Sequence, residues 1–427
     1  MAGDGSKDTE LIRALSLPEV VLSGIGVILG AGIYALIGEA AATAGNALWL
    51  SFVFSALIAS FTGLSYMELS SMFPRAGAEY EYTRHSFGGN LAFMTGIMVI
   101  LSGIIGASTV ALGFSGYFRG IFDLPVLLIS FVLILLLSAL LFAGIKQSAM
   151  VAIIFTLIEA GGLVGIILIG LPYLGSVDYF YMPLGMAGVF QAAALIFFAY
   201  QGFEEIVKLS EETKNPEKTI PLGLFIALCV TILLYVLVSV SVVSISGWET
   251  VAGSGNPFAT IAGEVFNGGH LLFTVIALFA TANTVLLMLL SSSRIIYGMA
   301  REGRLPAVLG RVHYKTRTPA YAVLFSGLFS LIFLSLGNIR DVASVTNFTL
   351  YFTFTVINAS VIVLRFKLPE ERRPFKVPLS LGRIPLLPVM GIAACLFFLF
   401  QMDLIILIIG VIMTAAAFSV ARYFGDV

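Results

Sequence analysis

Runs of about twenty apolar residues follow one another almost without pause from Leu17 to Tyr423, and this succession constrains the fold more than any other feature. A helix needs roughly 20 apolar residues to cross the hydrocarbon core of a bilayer, so each run is long enough to span it. The chain is 59% hydrophobic and 11% charged, and its mean hydropathy is +1.03. These values are far from those of a soluble domain. The sequence therefore predicts an all-α integral membrane protein.

The length rule predicts about 12 spans. They fall at 16–41, 47–71, 86–117, 124–143, 147–171, 186–209, 221–246, 270–299, 319–337, 342–365, 384–401 and 404–422. The first apolar run is longer than that of a signal peptide and lacks its small-residue cleavage site, so we expect this helix to be retained. We expect residues 1–15 to form a cytoplasmic N-terminal tail and residues 16–427 to form a single transmembrane domain.

Lysine and arginine are distributed unevenly when the loops are assigned alternately to two faces. All of the 23 basic residues except Arg119 and Arg340 fall on one face. Because basic residues are retained on the cytoplasmic side, that face is predicted to be cytoplasmic. An even number of spans places both chain ends there. We therefore expect a multi-pass protein of the cell membrane with both termini in the cytoplasm.

The first and sixth predicted spans are interrupted where an ordinary helix would continue. The first has Gly30-Ala31-Gly32 at its middle, and the sixth has Gly202 followed by carboxylates. Five spans separate the two interruptions, and because five is odd a repeated unit would lie inverted in the membrane. Discontinuous helices at matching positions of two halves indicate a transporter site near the bilayer midplane. The predicted units are a first repeat at 16–171, a second repeat at 186–365 and two appended helices at 384–422.

Unwinding at these glycines would free backbone groups that suit a zwitterion, because glycine allows unusual backbone angles and close approach. Amides at the positive end of the second half of the first span suit a carboxylate, and they are those of Ala31, Gly32 and Ile33. Carbonyls before Gly202 suit an ammonium, and they are those of Phe197, Phe198 and Tyr200. Glycines also serve close helix packing in membranes, and the glycines alone leave both interpretations open.

Carboxylates lie within these apolar spans. Glu204 and Glu205 follow Gly202, where an acid can cap a new helix N-terminus, and capping competes with a role in transport. Glu159 lies deep in the fifth span with no lysine or arginine near it in sequence. Intramembrane acids are costly and usually face a polar interior or an ion path. Burial without a cation favours the protonated carboxyl that a proton carrier requires, and the same carboxylate beside freed carbonyls would instead bind sodium.

Five sequence blocks resemble the amino acid-polyamine-organocation (APC) transporters, occur in that family's order and together cover nearly the whole chain. They are SGIGVILGAGIY (Ser23 to Tyr34), YMELSSMFPRAGAEYEYTRHSFG (Tyr66 to Gly88), FFAYQGFEEIVKLSEETKNPEKTIPLG (Phe197 to Gly223), SSRIIYGMAREGRLP (Ser292 to Pro306) and RRPFKVP (Arg372 to Pro378). The resemblance implies the LeuT-like fold, a 5+5 inverted repeat with helices 1 and 6 discontinuous. It also implies amino acid transport by alternating access.

The resemblance assigns roles to particular residues. In similar transporters the glycine-rich segment of helix 1 contacts the substrate carboxylate, which here implies the segment Gly30-Ala31-Gly32. The aromatic gate of helix 6 falls on Phe198. The acidic position two residues after the helix 6 glycine falls on Glu204. Helices 3, 8 and 10 are expected to line the route.

The fifth span departs from the family's pattern. Some proton-coupled members place a lysine in this helix, 13 residues after a lysine at its cytoplasmic start, and the same count from Lys146 reaches Glu159. That lysine is thought to replace a sodium ion next to helices 1 and 8, so a carboxylate puts the coupling scheme in doubt. The alignment makes Asn283 and Thr284 of helix 8 its neighbours. With Glu159 they are candidates for a proton site or a sodium site.

The resemblance to this family also restricts the expected substrate and the expected protein partners. Helix 3 reads Leu101-Ser102-Gly103 where transporters of cationic amino acids have Leu-Glu-Tyr, which disfavours a strongly cationic substrate. The loop at 119–123 lacks the cysteine that joins heteromeric relatives to a glycoprotein, so no disulfide-linked subunit is expected. Orientation of the chain by positive charge explains the basic loops, so no nucleic acid is expected, and membrane lipids are the expected surroundings. Scattered histidines and the lack of a phosphate loop give no reason to expect a metal or a cofactor.

The expected function is therefore secondary active transport of an amino acid, coupled to a proton or sodium gradient. A neutral substrate is favoured because Ala31 is small and Phe198 and Tyr200 are apolar or aromatic. The alternative within transport is an obligate exchanger of amino acids, amines or polyamines. A membrane substrate sensor or a channel is the alternative from another class. An enzyme is not expected, because the intramembrane acids lie on different spans without a nucleophile or a metal motif.

Overall fold

The computed structural model describes residues 15–75, 77–143, 145–313, 316 and 318–424, and the predicted N-terminal tail lies outside this part of the chain apart from Leu15. Most of the described residues are helical. Their α-helices are α1 (Leu17–Ile28), α2 (Gly32–Ala44), α3 (Leu48–Met72), α4 (Ala78–Phe87), α5 (Gly89–Arg119), α6 (Val126–Ala143), α7 (Ile145–Gly170), α8 (Gly185–Ile196), α9 (Pro216–Ala252), α10 (Pro257–Val265), α11 (Gly269–Arg301), α12 (Ala320–Phe333), α13 (Ile339–Lys367), α14 (Leu386–Leu399) and α15 (Leu404–Phe424).

Eight helical segments in the described part of the chain are long and apolar enough to cross a membrane. They are Gly32–Met72, Gly89–Arg119, Ile154–Tyr173, Gly185–Glu212, Pro216–Ala252, Gly269–Arg301, Ile339–Lys367 and Leu404–Arg422. Shorter apolar helices lie at Leu17–Ile28, Val126–Phe142, Ala320–Leu336 and Leu386–Leu399. The prediction of an all-α membrane protein is confirmed. The count of 12 spans stays a prediction, because it depends on these four shorter helices.

The structure also contains elements that the apolar pattern did not predict. Helix α4 precedes the third predicted span and α10 lies between the seventh and the eighth. Strands β1 (Ser380–Leu381) and β2 (Ile384–Pro385) form an antiparallel hairpin before α14. These elements are short and carry polar residues, so a search for runs of twenty apolar residues passes over them.

The main contacts between helices fall into two groups. In one group α3 packs against α9 and α8, α1 against α9, and α2 against α8. In the other group α5 packs against α11 and α13, and α6 against α12. Serine hydroxyls of α3 form hydrogen bonds with the backbone of α8 in the first group. Ser51 donates to the carbonyl of Val189 at 2.9 Å, and Ser55 donates to that of Ala193 at 2.7 Å. Such hydroxyl contacts stabilise helix pairs where lipid provides no hydrophobic driving force.

A buried ion cluster joins α3 to the end of α13 and the segment after it. Glu68 of α3 accepts from Nε and Nη2 of Arg365 at 3.0 and 2.5 Å. Its carboxylate also lies 3.3 Å from Nε of Arg373 and accepts from the amide of Val377 at 2.8 Å. The Glu68 and Arg365 side chains are only 1% and 3% exposed. The carboxylate therefore neutralises two arginines that have little access to water.

We predict that Glu68→Leu lowers the free energy of unfolding by about 3–5 kcal/mol, because the change leaves two buried arginines without their carboxylate. The thermal midpoint of the purified protein in detergent measures the loss. Glu217→Leu is the matched control, because its 3.8 Å contact with Arg372 is exposed to solvent. Equal midpoints for the two variants would contradict the prediction.

Candidate functional site

The helical path is interrupted between α1 and α2. Helix α1 ends at Ile28 and α2 begins at Gly32. Within this break the amide of Ala31 donates to Oγ1 of Thr284 on α11 at 2.7 Å, in a fully buried position. Gly30 lies against the same hydroxyl, since a Cβ atom there would be 3.2 Å from it. Helix α11 therefore provides the hydrogen-bond partner that the missing helical turn cannot provide.

A second interruption follows α8. Residues Phe197–Tyr200 form a 3-10 turn, Gly202 adopts a left-handed conformation with φ +119°, and a second 3-10 helix runs over Phe203–Glu212. The last carbonyls of α8 find partners on α13. Asn347 Nδ2 donates to the carbonyls of Ala194 and Leu195, both at 2.8 Å. The hydroxyl of Tyr351 also donates to Ala194, at 3.0 Å.

The two breaks contact each other directly. A Cβ atom on Gly32 would lie 2.6 Å from the Cα atom of Ala199, and one on Gly202 would lie 2.7 Å from the carbonyl oxygen of Val27. The hydroxyl of Tyr235 on α9 lies 2.8 Å from the carbonyl oxygen of Ile28 and 3.0 Å from that of Ala199. One tyrosine thus bridges the backbone at both breaks.

A cavity of about 640 Å³ extends from the breaks to one face of the protein. Its rim includes Glu212 and Glu302, which are exposed and lie next to the basic loops. Just past the first break, the hydroxyl of Tyr117 on α5 donates to the carbonyl of Tyr34 on α2 at 3.0 Å and joins these two helices. The cavity therefore connects the breaks to the face that carries Glu212 and Glu302.

The predicted site residues separate into two sets. Six line the cavity: Gly30, Gly32, Phe198, Gly202, Glu204 and Thr284. The others are buried outside the described lining of the cavity: Ala31, Ile33, Glu159, Phe197, Tyr200 and Asn283. Phe197 packs its ring 4.9 Å from that of Tyr351, and the hydroxyl of Tyr200 donates to the carbonyl of Phe52 at 3.0 Å. These two aromatic side chains therefore contact neighbouring helices and contribute to the packing around the second break.

Glu204 has the capping contact that the sequence suggested, and it also lines the cavity. Its Oε2 atom accepts from the amide of Gly202 at 2.9 Å, so it stabilises the start of the second 3-10 helix. Its side chain is 96% buried and also lines the cavity. A capping carboxylate can therefore be reached from the cavity that the breaks share.

Glu159 is fully buried on α7, and neither of its carboxyl oxygens has a hydrogen-bond partner among the described residues. The carboxamide of Asn283 lies beside it. Asn283 uses its Nδ2 to donate to Thr156 at 3.1 Å, while its Oδ1 is also without a partner in the described part of the chain. The hydroxyl of Tyr34 donates to the backbone carbonyl of Glu159 at 2.9 Å. Asn283 thus lies beside Glu159 as expected, and Tyr34 links this pair to α2 close to the first break.

Several residues at the two breaks and in the cavity lining were not predicted from the sequence. Tyr235 and Asn347 are polar side chains buried in membrane-length helices, and a polar group at such a depth was the available signal. Lys208 lines the cavity and lies three residues after Glu205, which the sequence had already indicated together with Glu204. Glu79 of α4 lines it as well, on a helix that the apolar pattern did not predict.

Comparison with known proteins agrees with this architecture. The family model described as amino acid permease matches residues 15–423. The chain belongs to the amino acid permease family. Membership in the APC superfamily, predicted from the sequence blocks, is confirmed, and the family's members are transporters rather than enzymes.

The permease is 34% identical over 422 residues to the branched-chain amino acid permease BcaP of Bacillus subtilis (strain 168), covering 93% of this chain and 90% of that protein. It is 32% identical over 424 residues to the methylthioribose transporter of the same organism, with the same two coverages. Cationic amino acid transporter 2, vacuolar, of Arabidopsis thaliana is 29% identical over 398 residues, or 87% of this permease and 62% of that protein.

We predict that Gly32→Ala and Gly202→Ala each abolish most uptake of labelled amino acid into vesicles. A methyl group at either position collides with backbone of the other break, and such overpacking costs about 1–3 kcal/mol. Gly161→Ala on α7 is the control, because a Cβ atom there meets nothing within 4 Å. Normal uptake by Gly32→Ala would contradict close contact between the breaks.

Proposed function

We propose that this permease is a secondary active transporter that carries a neutral amino acid by alternating access, with Glu159 as the proton-coupling group. The observation that supports it best is the cavity that reaches both helix breaks at once. At the first break the positive end of α2 favours a carboxylate, and at the second the negative end of α8 favours an ammonium. An α-amino acid carries both groups on one carbon.

The proposed contacts follow from the backbone at each break. The substrate carboxylate accepts from the amides of Gly32 and Ile33, and it competes with the Thr284 hydroxyl for that of Ala31. The substrate ammonium donates to carbonyls of the turn before Gly202, which are those of Phe197, Phe198 and Tyr200. The hydrogen bond from Ala31 to Thr284 supports this arrangement, because the Ala31 amide donates to a side-chain acceptor and not within its own helix. Phe198 lines the cavity and would cover the bound substrate.

The cavity wall near Phe198 favours a neutral side chain. Val99 of α5 and Met288 of α11 line the cavity, together with the hydroxyl-bearing Ser102 and Ser292. Apolar walls with a few polar groups are typical of sites that bind uncharged ligands. The similarity to a permease named for branched-chain amino acids agrees with this preference. Other relatives are named for methylthioribose and for cationic amino acids, so the substrate class is part of the proposal.

Proton coupling is supported by the unsatisfied oxygens at Glu159. Neither carboxyl oxygen of Glu159 has a hydrogen-bond partner among the described residues, and the same is true of Oδ1 of the neighbouring Asn283. Unpaired polar groups are costly inside a membrane protein, and a proton on Glu159 provides the missing donor. A sodium ion among the same oxygens is the second possibility. Glu204 is a further candidate for ion coupling, since it faces the cavity.

A 5+5 inverted repeat accounts for the packing. With 12 spans, helices that lie five spans apart are neighbours: α2 with α8, α3 with α9, α5 with α11, and α6 with α12. We assign the repeats to 16–171 and 186–365, with appended helices at 384–422. In this assignment helices 1 and 6 are discontinuous at the two breaks.

The cavity opening and the basic loops lie on the same face, which supports an inward-facing state of a cell-membrane protein with both termini in the cytoplasm. The basic loops would contact anionic membrane lipids. No disulfide-linked subunit is included in the proposal. Obligate exchange remains the competing mechanism, and in that case Glu159 has only a structural role.

We predict that Glu159→Gln abolishes gradient-driven accumulation and leaves exchange intact, because a carboxamide cannot carry a proton. One charge crossing 100 mV contributes roughly 2.3 kcal/mol, which is worth about fortyfold accumulation. Vesicles containing the purified permease are tested with a proton gradient, a sodium gradient or preloaded substrate. Glu264→Gln, an exposed acid on α10, is the control.

The outcome separates the mechanisms. Accumulation in the unmodified protein under a proton gradient alone, lost in Glu159→Gln and kept in Glu264→Gln, supports the proposal. Uptake that needs only preloaded substrate and is equal in all three proteins would instead identify an exchanger.

A further inference from the structure

The part of the cavity between the breaks and the exposed rim is strongly acidic. The carboxylates that line it are Glu79, Glu204, Glu205, Glu212 and Glu302, and the described lining has two basic residues, Lys208 and Arg294. A cavity with this balance attracts cations and repels anions. A neutral amino acid must therefore be selected against competition from cationic ones.

Lys208 lies at the centre of this acidic group. Its Nζ atom lies 2.5 Å from Oε1 of Glu205, and its side chain is 17% exposed. Glu205 is held from the other side, because Oγ of Ser291 on α11 donates to its Oε2 at 3.0 Å. Glu79 and Glu204 are close enough to interact with the same ammonium electrostatically. One ammonium thus faces three carboxylates.

Glu79 is the most enclosed of these acids outside the spanning segments. It is 4% exposed and accepts from the hydroxyl of Tyr66 at 3.1 Å. Burial raises the pKa of its carboxyl, and the neighbouring Lys208 opposes that rise. The lysine therefore helps to keep a buried carboxylate charged at the cavity wall.

The position of this ammonium matches the end of a long substrate side chain. Residues three apart in a 3-10 helix lie one above the other, so the Lys208 side chain reaches back to the level of Glu205. Glu205 is three residues from Gly202, a rise of about 6 Å at 2 Å per residue. A lysine molecule held by its α-carbon groups at the breaks, with its side chain toward the rim, would place its own ammonium there.

We propose that Lys208 is a specificity-determining residue: its tethered ammonium occupies the place of a substrate's side-chain ammonium among Glu79, Glu204 and Glu205, and so excludes cationic amino acids such as lysine and ornithine. This inference rests on the proposed function, because it assumes that the substrate binds at the two breaks. If the Lys208 ammonium is removed, the three carboxylates remain to bind the side-chain ammonium of a cationic substrate. Exclusion by a repulsive group is a common source of specificity.

Lys208→Met tests the proposal, since methionine keeps the unbranched shape without the charge. Vesicles containing the full chain are assayed for uptake of labelled leucine and labelled lysine. We expect the ratio of kcat/KM for lysine to that for leucine to rise about tenfold, as removal of a like charge permits. Lys218→Met is the matched control, because it removes the same charge from an exposed position on α9.

A double variant locates the effect. Glu205→Gln combined with Lys208→Met should lose part of the gain for lysine, because one of the three carboxylates is gone. If the methionine variant does not fold, Lys208→Gln must show the same gain. An unchanged ratio in the Lys208 variants, or an equal gain in Lys218→Met, would overturn the inference.

The unmodified protein distinguishes this inference from the function on which it rests. Leucine uptake by both the unmodified and the Lys208→Met proteins, with no gain for lysine, contradicts only the role of Lys208. Failure of the unmodified permease to transport neutral amino acids contradicts the proposed function itself.

Discussion

The structure depends on one constraint: inside a bilayer, backbone groups that leave a helix must find partners within the protein or a ligand. Both breaks obey it with side chains from other helices. Thr284 of α11 accepts from Ala31, Asn347 of α13 donates to the end of α8, and Tyr235 of α9 bridges the two breaks. These contacts hold two interrupted helices side by side in the middle of the molecule. The helix packing around them positions α9, α11 and α13 to do so.

The same contacts suggest how substrate binding could change the conformation at the two breaks. A single buried hydrogen bond contributes about 1 kcal/mol, so a substrate that provides carboxylate and ammonium groups can replace several of them. One proton crossing a potential of 100 mV contributes roughly 2.3 kcal/mol, which is of similar size. Glu159, placed behind the first break without a partner of its own among the described residues, is where this energy would act. In the proposed mechanism, substrate and ion would thus act on one shared set of backbone groups.

Hydropathy and glycine placement reflect the bilayer directly, so they predicted the apolar helices, the glycines at both breaks and the burial of Glu159. The position of Asn283 beside Glu159 was implied only by the family resemblance. The sequence did not predict which side chains face the cavity. Phe197, Tyr200 and Ala31 do not line the cavity, since regular helical periodicity does not continue through the breaks. The partners of the freed groups come from distant parts of the chain: Asn347 lies 153 residues from Ala194. Such contacts have no local pattern in a single sequence.

The most direct test of the account is an experimental structure of the permease with a transported neutral amino acid bound. We predict the carboxylate at the amides of Ala31, Gly32 and Ile33, the ammonium at the carbonyls before Gly202, and the side chain against Val99 and Met288. An amino acid bound in the acidic part of the cavity, with the Ala31 amide still donating to Thr284 and no contact at either break, would contradict it.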